Sequence, residues 1–99
     1  SSIDLENAAV SHPNAQEVAV IGVPHPRWQE RPVMFVVPRE GSTLTEVEMQ
    51  EFLTTRVAKW WLPDAIIIVD TLPHTSTGKV QKDVLRQQYA AMAPLQASN

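Results

Sequence analysis

Residues 17–38 run EVAVIGVPHPRWQERPVMFVVP. Two β-rich, mostly apolar runs lie inside that stretch, 17–23 and 33–38, and each reads as a well-buried strand. Pro24, His25 and Pro26 close the first run, because proline has no N–H to give a ladder. Residues 24–32 then read as a loop of mixed charge carrying Trp28. A link that short suits antiparallel pairing, with the loop as an extended hairpin connection.

Helical patterns flank this pair. Residues 2–11 predict a helix, with Ser1 and Asp4 as a capping box and Ile3, Leu5, Ala8, Ala9 and Val10 on its apolar side. His12, Pro13 and Asn14 stop it. After a break at Gly41 and Ser42, Thr45 and Glu48 form a second capping box that opens a helix at 46–57. Met49, Phe52, Leu53 and Val57 recur at helical spacing and are expected to face the core. The run from Lys59 to Pro63 ends that unit. Residues 65–69 read as a third strand, which Asp70 leaves. Val80, Val84, Leu85 and Tyr89 mark one side of a last helix at 81–92. The order is α-β-β-α-β-α. It predicts an α+β fold: a small three-stranded, mainly antiparallel sheet flanked by helices. Residues 1–92 read as one domain, and the small, polar stretch 93–99 as a disordered tail.

Bulk composition narrows the function classes. The 99 residues suffice for one small core, and 43% hydrophobic with 19% charged is an ordinary globular mixture. The net charge of −3 comes without a basic stripe, so nucleic acid is not an expected partner. There are no cysteines, hence no disulfide framework. His12, His25 and His74 each sit beside a proline and lack metal-ligand spacing. No apolar run approaches the ~20 residues of a membrane helix, and no signal peptide is recognisable; the expected location is cytoplasmic. The chain starts at Ser1 and enters a helical pattern at once, which predicts a fragment of a longer polypeptide.

Residues 73–86, PHTSTGKVQKDVLR, carry the chemistry. Lys79 follows a small, hydroxyl-rich loop containing Gly78 and opens a helix-patterned run. A lysine there is exposed and backed by a rigid element. A phosphate-cradling P-loop is excluded, since it needs glycine where Pro73 stands and Ser or Thr where Val80 stands. Two local readings stay open: a functional lysine at a loop tip, or a plain strand-to-helix turn capped by Thr75, Ser76 or Thr77.

The stretch resembles the last signature motif of the adenylate-forming enzymes, which comprise acyl-CoA synthetases, aryl-CoA ligases, luciferases and peptide-synthetase adenylation domains. The family wording, Pro-x-Thr-x-(Ser/Thr)-Gly-Lys followed by an aliphatic residue and a basic helix, is met at Pro73, Thr75, Thr77, Gly78, Lys79, Val80 and Arg86. The likeness continues through Asp4 to Asn7, His12-Pro13, Val18 to Pro24, Trp28 to Pro32, Val36-Val37, and Ala58 to Pro63. It covers residues 2–90 in order, and its wording is nearest to medium- and long-chain fatty acyl-CoA ligases.

That resemblance implies a C-terminal lid domain of an AMP-forming acid–thiol ligase. ATP and a carboxylate, here a fatty acid, give an acyl-adenylate and pyrophosphate; coenzyme A then takes the acyl group as a thioester. ATP, Mg²⁺ and the acyl group are expected on an N-terminal adenylation domain of the same chain. The isolated domain is expected to hold no cofactor and no metal, and to be inactive alone. The resemblance implies that the family's hinge residue and glycine-rich loop, and every ATP-binding motif, are to be expected before Ser1. Lys79 is the implied catalytic residue, with Thr75, Thr77 and Gly78 shaping its loop. Arg56 and Lys59 are candidates for a coenzyme A phosphate, against the plain reading of a solvated helix end. The family also implies that a protein acyltransferase acting on Lys79 would switch it off.

Other residues have simpler expectations. Trp28 is expected to pack on its own domain, and Glu30 with Arg31 to form a solvated pair. One of Trp60 and Trp61 is expected to be exposed. Lys82, Asp83 and Arg86 read as a solvated helix face. Competing functions are the lid of an aryl-CoA ligase or peptide-synthetase adenylation domain, and a non-catalytic α+β interaction module in which Lys79 is dispensable.

Overall fold

A computed structural model describes the backbone of residues 2–97 and the side chains of residues 2–92. The elements are α1 (Ser2–Val10), β1 (Ala15–His25), β2 (Gln29–Pro38), α2 (Glu46–Thr54), a 3₁₀ turn (Lys59–Trp61), β3 (Ala65–Ile68) and α3 (Lys82–Ala97). The predicted order α-β-β-α-β-α holds, and the fold is α+β.

The sheet order is β1-β2-β3. β1 and β2 pair antiparallel from Ala15↔Pro38 to His25↔Gln29, whereas β3 runs parallel to β2 from Val33↔Ala65 to Val36↔Ile68. The sheet is therefore mixed but mainly antiparallel. A parallel neighbour needs a crossover, and the segment containing α2 supplies it.

The expected loop at 24–32 is a tight hairpin instead. β1 continues to His25 and β2 starts at Gln29, leaving Pro26, Arg27 and Trp28 as the turn. Pro24 does not break β1. It has the parity of Val20 and Gly22, which turn their polar backbone groups outward, away from β2. A missing outward N–H on an edge strand costs no ladder bond. Gln29 takes the left-handed conformation, φ 65°, that closes the turn.

Both sheet faces are covered. On one side Leu5, Ala9, Val20, Met34, Val36, Met49, Leu53 and Ile66 form a core under α1 and α2. On the other, Ala19, Ile21, Val33, Phe35, Val37, Leu72 and Leu85 pack beneath α3 and the segment leading to it. This is why the strands read as continuous apolar runs.

Each sheet edge is closed by a carboxylate. Glu6 of α1 accepts from the Val20 N–H at 2.7 Å, and Glu46 of α2 accepts from the Ile66 N–H at 3.1 Å. Unpaired edge groups would otherwise invite further strand pairing.

The capping box at Thr45 and Glu48 is present in both directions, at 3.2 and 3.0 Å. α2 stops at Thr54 rather than 57, its last turn tightened by an Arg56 N–H bond to the Leu53 carbonyl. The other expected capping box uses Ser1, which lies outside the described residues. α3 is longer than the expected 81–92; of the expected disordered tail 93–99, residues 98 and 99 lie outside the described residues.

Candidate functional site

Residues 73–81 form a miniature hairpin between β3 and α3. His74 and Val80 pair as an antiparallel bridge. Inside it the Thr75 N–H donates to the Lys79 carbonyl at 2.7 Å, and the Gly78 N–H to the Thr75 carbonyl at 2.9 Å. Gly78 has φ 89°. A turn followed by a left-handed glycine is a common three-residue hairpin connection. Nothing lies within 4 Å of where a Gly78 Cβ would stand, so the backbone conformation, not space, calls for glycine there.

The hydroxyls serve this hairpin and not the helix. Thr75 Oγ1 accepts from the Lys79 N–H at 3.2 Å and lies 3.0 Å from Thr77 Oγ1. The first turn of α3 is received by the Gln81 carbonyl, which accepts from Val84 and Leu85. The reading in which Thr75, Ser76 or Thr77 caps the helix is thus corrected: the extra strand pair at His74 and Val80 inserts a turn before the helix begins. Thr75, Thr77, Gly78 and Lys79 are brought together at one exposed tip. The Lys79 ammonium makes no hydrogen bond or ion pair among the described residues.

Arg56 and Lys59 lie elsewhere. The Arg56 guanidinium sits 3.8 Å over the Phe52 ring, and Phe52 packs on the α1/α2 core. Val80, beside Lys79, packs on the α3 core. The two candidate groups therefore occupy opposite faces of the sheet.

Several expected solvated charges have partners. Arg31 does not pair with Glu30. Its Nε donates to Asp64 Oδ1 at 3.0 Å, and its two terminal nitrogens donate to the carbonyls of Trp60 at 3.3 Å and Leu62 at 3.0 Å. The parallel register of β3 on β2 brings Asp64 there. Lys82 is 2.8 Å from Glu6, and Arg86 Nε donates to the Gly22 carbonyl, so α3 is tied to α1 and β1. Trp28 is 62% exposed at its turn rather than packed on the domain, because the hairpin carries it beyond both cores. Trp60 and Trp61 are both exposed, at 74% and 38%, and border a cleft of about 240 Å³ shared with Leu5, Gly22, Glu30 and Arg31.

His74 and Glu17 form a contact that sequence reasoning missed, with Nε2 and Oε2 2.5 Å apart. They are 57 positions apart, and no local pattern links them. Among the described residues, no group of three or more His, Asp or Glu side chains is placed to hold a metal ion. No helix among them is long and apolar enough to cross a membrane.

The family model described as AMP-binding enzyme C-terminal domain matches residues 4–79. A 3-methylmercaptopropionyl-CoA ligase of Ruegeria pomeroyi is 49% identical over 89 residues, and a long-chain-fatty-acid–CoA ligase of Thermus thermophilus is 48% identical. Each match covers 90% of this chain and 16% of the relative, so the chain spans about a sixth of the length of the curated relatives it matches. Among solved structures, ATP-bound MatB of Rhodopseudomonas palustris superposes with a TM-score of 0.83 at 38% identity, over 89% of this chain and 18% of that one. A fatty acyl CoA synthetase of Mycobacterium tuberculosis superposes with a TM-score of 0.81 at 36% identity, over 90% of this chain and 18% of that one. The chain therefore belongs to the AMP-binding enzyme C-terminal domain family.

Proposed function

We propose that this chain is the mobile C-terminal domain of an ATP-dependent, AMP-forming acyl-CoA ligase, and that Lys79 is its catalytic residue for carboxylate adenylation. The observation that carries this reading is the placement of Lys79 at the tip of an internally bonded hairpin, exposed and with its ammonium unpaired among the described residues.

In the first half-reaction a carboxylate oxygen attacks the α-phosphorus of ATP. One P–O bond forms, the bond to pyrophosphate breaks, and the electron pair leaves with pyrophosphate. Negative charge gathers on the oxygens around phosphorus, so positioning and electrostatics dominate catalysis. An ammonium about 4 Å from those oxygens contributes roughly 4 kcal/mol at an effective dielectric near 20, or about a thousandfold in rate. In the second half-reaction the coenzyme A thiol gives up its proton to solvent and its sulfur attacks the acyl carbon; the C–S bond forms, the acyl C–O bond breaks, and AMP departs with the electron pair. Lys79 is not needed there. Rotation of the domain would withdraw it and turn the opposite sheet face, with Arg56 and Lys59, toward coenzyme A.

Relatives bearing the names 3-methylmercaptopropionyl-CoA ligase, long-chain-fatty-acid–CoA ligase and medium-chain-fatty-acid–CoA ligase support acyl-CoA formation as the reaction class. A fatty acid is the acyl substrate we favour. ATP, Mg²⁺ and the acyl group are assigned to an N-terminal adenylation domain. The exposure of Lys79 also suits acylation by a protein acyltransferase, which would remove the charge.

The test is carboxylate-dependent ATP–pyrophosphate exchange in the full-length ligase, native and Lys79→Ala, with thioester formation from pre-made acyl-adenylate measured alongside. A loss of about a thousandfold in exchange, with the second step retained, is expected. Undiminished exchange in the variant sinks the catalytic assignment and favours a non-catalytic module.

A further inference from the structure

The ladder of β1 on β2 shifts register between Ala15 and Glu17. Strict alternation along β1 would put Ala15, Glu17 and Ala19 on one face. Ala15 nevertheless lies in the α1/α2 core and Ala19 in the α3 core. The extra residue, Gln16, resets the alternation. Ala15 can then fill one core while Glu17 keeps the side of Ala19, where α3 and the Lys79 hairpin lie.

There the Glu17 carboxylate meets His74, with Oε2 and Nε2 2.5 Å apart and both side chains 34% exposed. A carboxylate only accepts, so the Nε2–H donates. His74 stands opposite Val80 at the base of the hairpin whose tip bears Lys79. Apart from the Gln81 carbonyl, which accepts from Val84 and Leu85 of α3, the remaining backbone and hydroxyl bonds of this segment are internal to residues 73–81. Among the described residues the His74–Glu17 contact is the one polar tie between residues 73–79 and the sheet. Leu72 and Val80 pack at the two flanks of the hairpin. Apolar packing is non-directional, so it holds the base down without fixing the heading of the tip.

We propose that Glu17 and His74 are positioning residues for Lys79. Their contact fixes the hairpin's orientation on β1 and sets where the ammonium arrives during adenylation. The bulge at Gln16 is the device that aims Glu17 at the hairpin. This rests on the catalytic reading of Lys79 given above. A displacement near 1 Å is enough to cost about a hundredfold in a positioned reaction, which bounds the expected effect.

The experiment uses the full-length ligase carrying Glu17→Ala, His74→Ala, both together, and His74→Gln. Adenylation kcat is expected to fall by about 10- to 100-fold in each single alanine variant, with the KM for ATP and the second half-reaction unchanged within about twofold. The double variant should be no slower than the slower single one, because both remove one contact. His74→Gln, which keeps a donor, should recover much of the loss. Amide exchange, read by mass spectrometry on peptides covering residues 73–81, should quicken in Glu17→Ala. Unchanged kcat, equal losses in both half-reactions, additive losses in the double variant, or unchanged exchange would each overturn the positioning role. If Lys79→Ala abolishes adenylation while Glu17→Ala does not, only that role falls. If Lys79→Ala is itself harmless, the catalytic reading falls and the positioning role with it.

Discussion

Replacing Arg31 with alanine removes four contacts at once, and their worth can be apportioned. Two are made with Asp64 Oδ1, at 3.0 Å from Nε and 2.9 Å from a terminal nitrogen. The Asp64 side chain is 42% exposed and that of Arg31 23%, so solvent screens this pair to about 1 kcal/mol or less. The other two are bonds to backbone carbonyls of the 3₁₀ segment and its end: Trp60, long at 3.3 Å and exposed, and Leu62, 3.0 Å and partly buried. A charged donor to a partly buried carbonyl is worth roughly 1.5 kcal/mol, and the long exposed one less. The expected cost of Arg31→Ala is therefore about 2–3 kcal/mol. With a urea slope near 1.5 kcal/mol/M for a chain of this size, the unfolding midpoint should drop by about 1.3–2 M at unchanged slope. Asp64→Ala should cost about 1 kcal/mol or less, since the two carbonyl bonds survive it. Arg31→Lys should resemble Arg31→Ala more than the native chain, because an ammonium is a point charge and cannot span four acceptor contacts. Urea unfolding followed by tryptophan fluorescence measures all three. If Asp64→Ala costs as much as Arg31→Ala, the contact is an ordinary ion pair. The inference that Arg31 staples the Trp60–Leu62 carbonyls to β2 is then wrong.

Substitutions at Glu6 and at the Gly22–Glu30 contact probe the sheet further. Glu6 accepts from Val20 N–H and meets Lys82 with the same oxygen. Glu6→Gln keeps an acceptor for the strand and should cost under about 1 kcal/mol, whereas Glu6→Ala orphans a partly buried N–H and should cost about 1–3 kcal/mol by chemical unfolding. A Cβ built on Gly22 would stand 2.5 Å from Glu30 Oε1, the mobile end of an exposed side chain. Glu30→Ala alone should change stability by under about 0.5 kcal/mol, and should rescue Gly22→Ala; strictly additive values in this double-mutant cycle would contradict the contact.

Element identity was legible because burial on both sheet faces writes itself into composition. Val18 to Val23 and Val33 to Val37 have nowhere to place a charge. The capping box at Thr45 and Glu48 was legible for a similar reason: both its bonds close within three residues. The hairpin extension was not. Two prolines and mixed charge look like loop chemistry until one knows that β1 is an edge strand and that Pro24 faces outward. The site split along the same line. Lys79, Gly78, Thr75 and Thr77 stand in one stretch whose bonds are local, so a reading of the stretch finds them together. Arg31 with Asp64, Glu6 with Lys82, and Glu17 with His74 are 33, 76 and 57 positions apart.

Sequence alone determined the family, the α-β-β-α-β-α order, the helix start at Thr45 and the lysine-bearing tip, because each depends on neighbours a few bonds away or on a contiguous motif. Tertiary structure decided the parallel seat of β3, the partners of Arg31 and Lys82, the exposure of Trp28 and the contact of His74 with Glu17. Those outcomes follow from strand register and a one-residue bulge. A shift of one position sends every side chain to the other face. Which register wins is settled by the packing of the two cores together, not by any segment read alone.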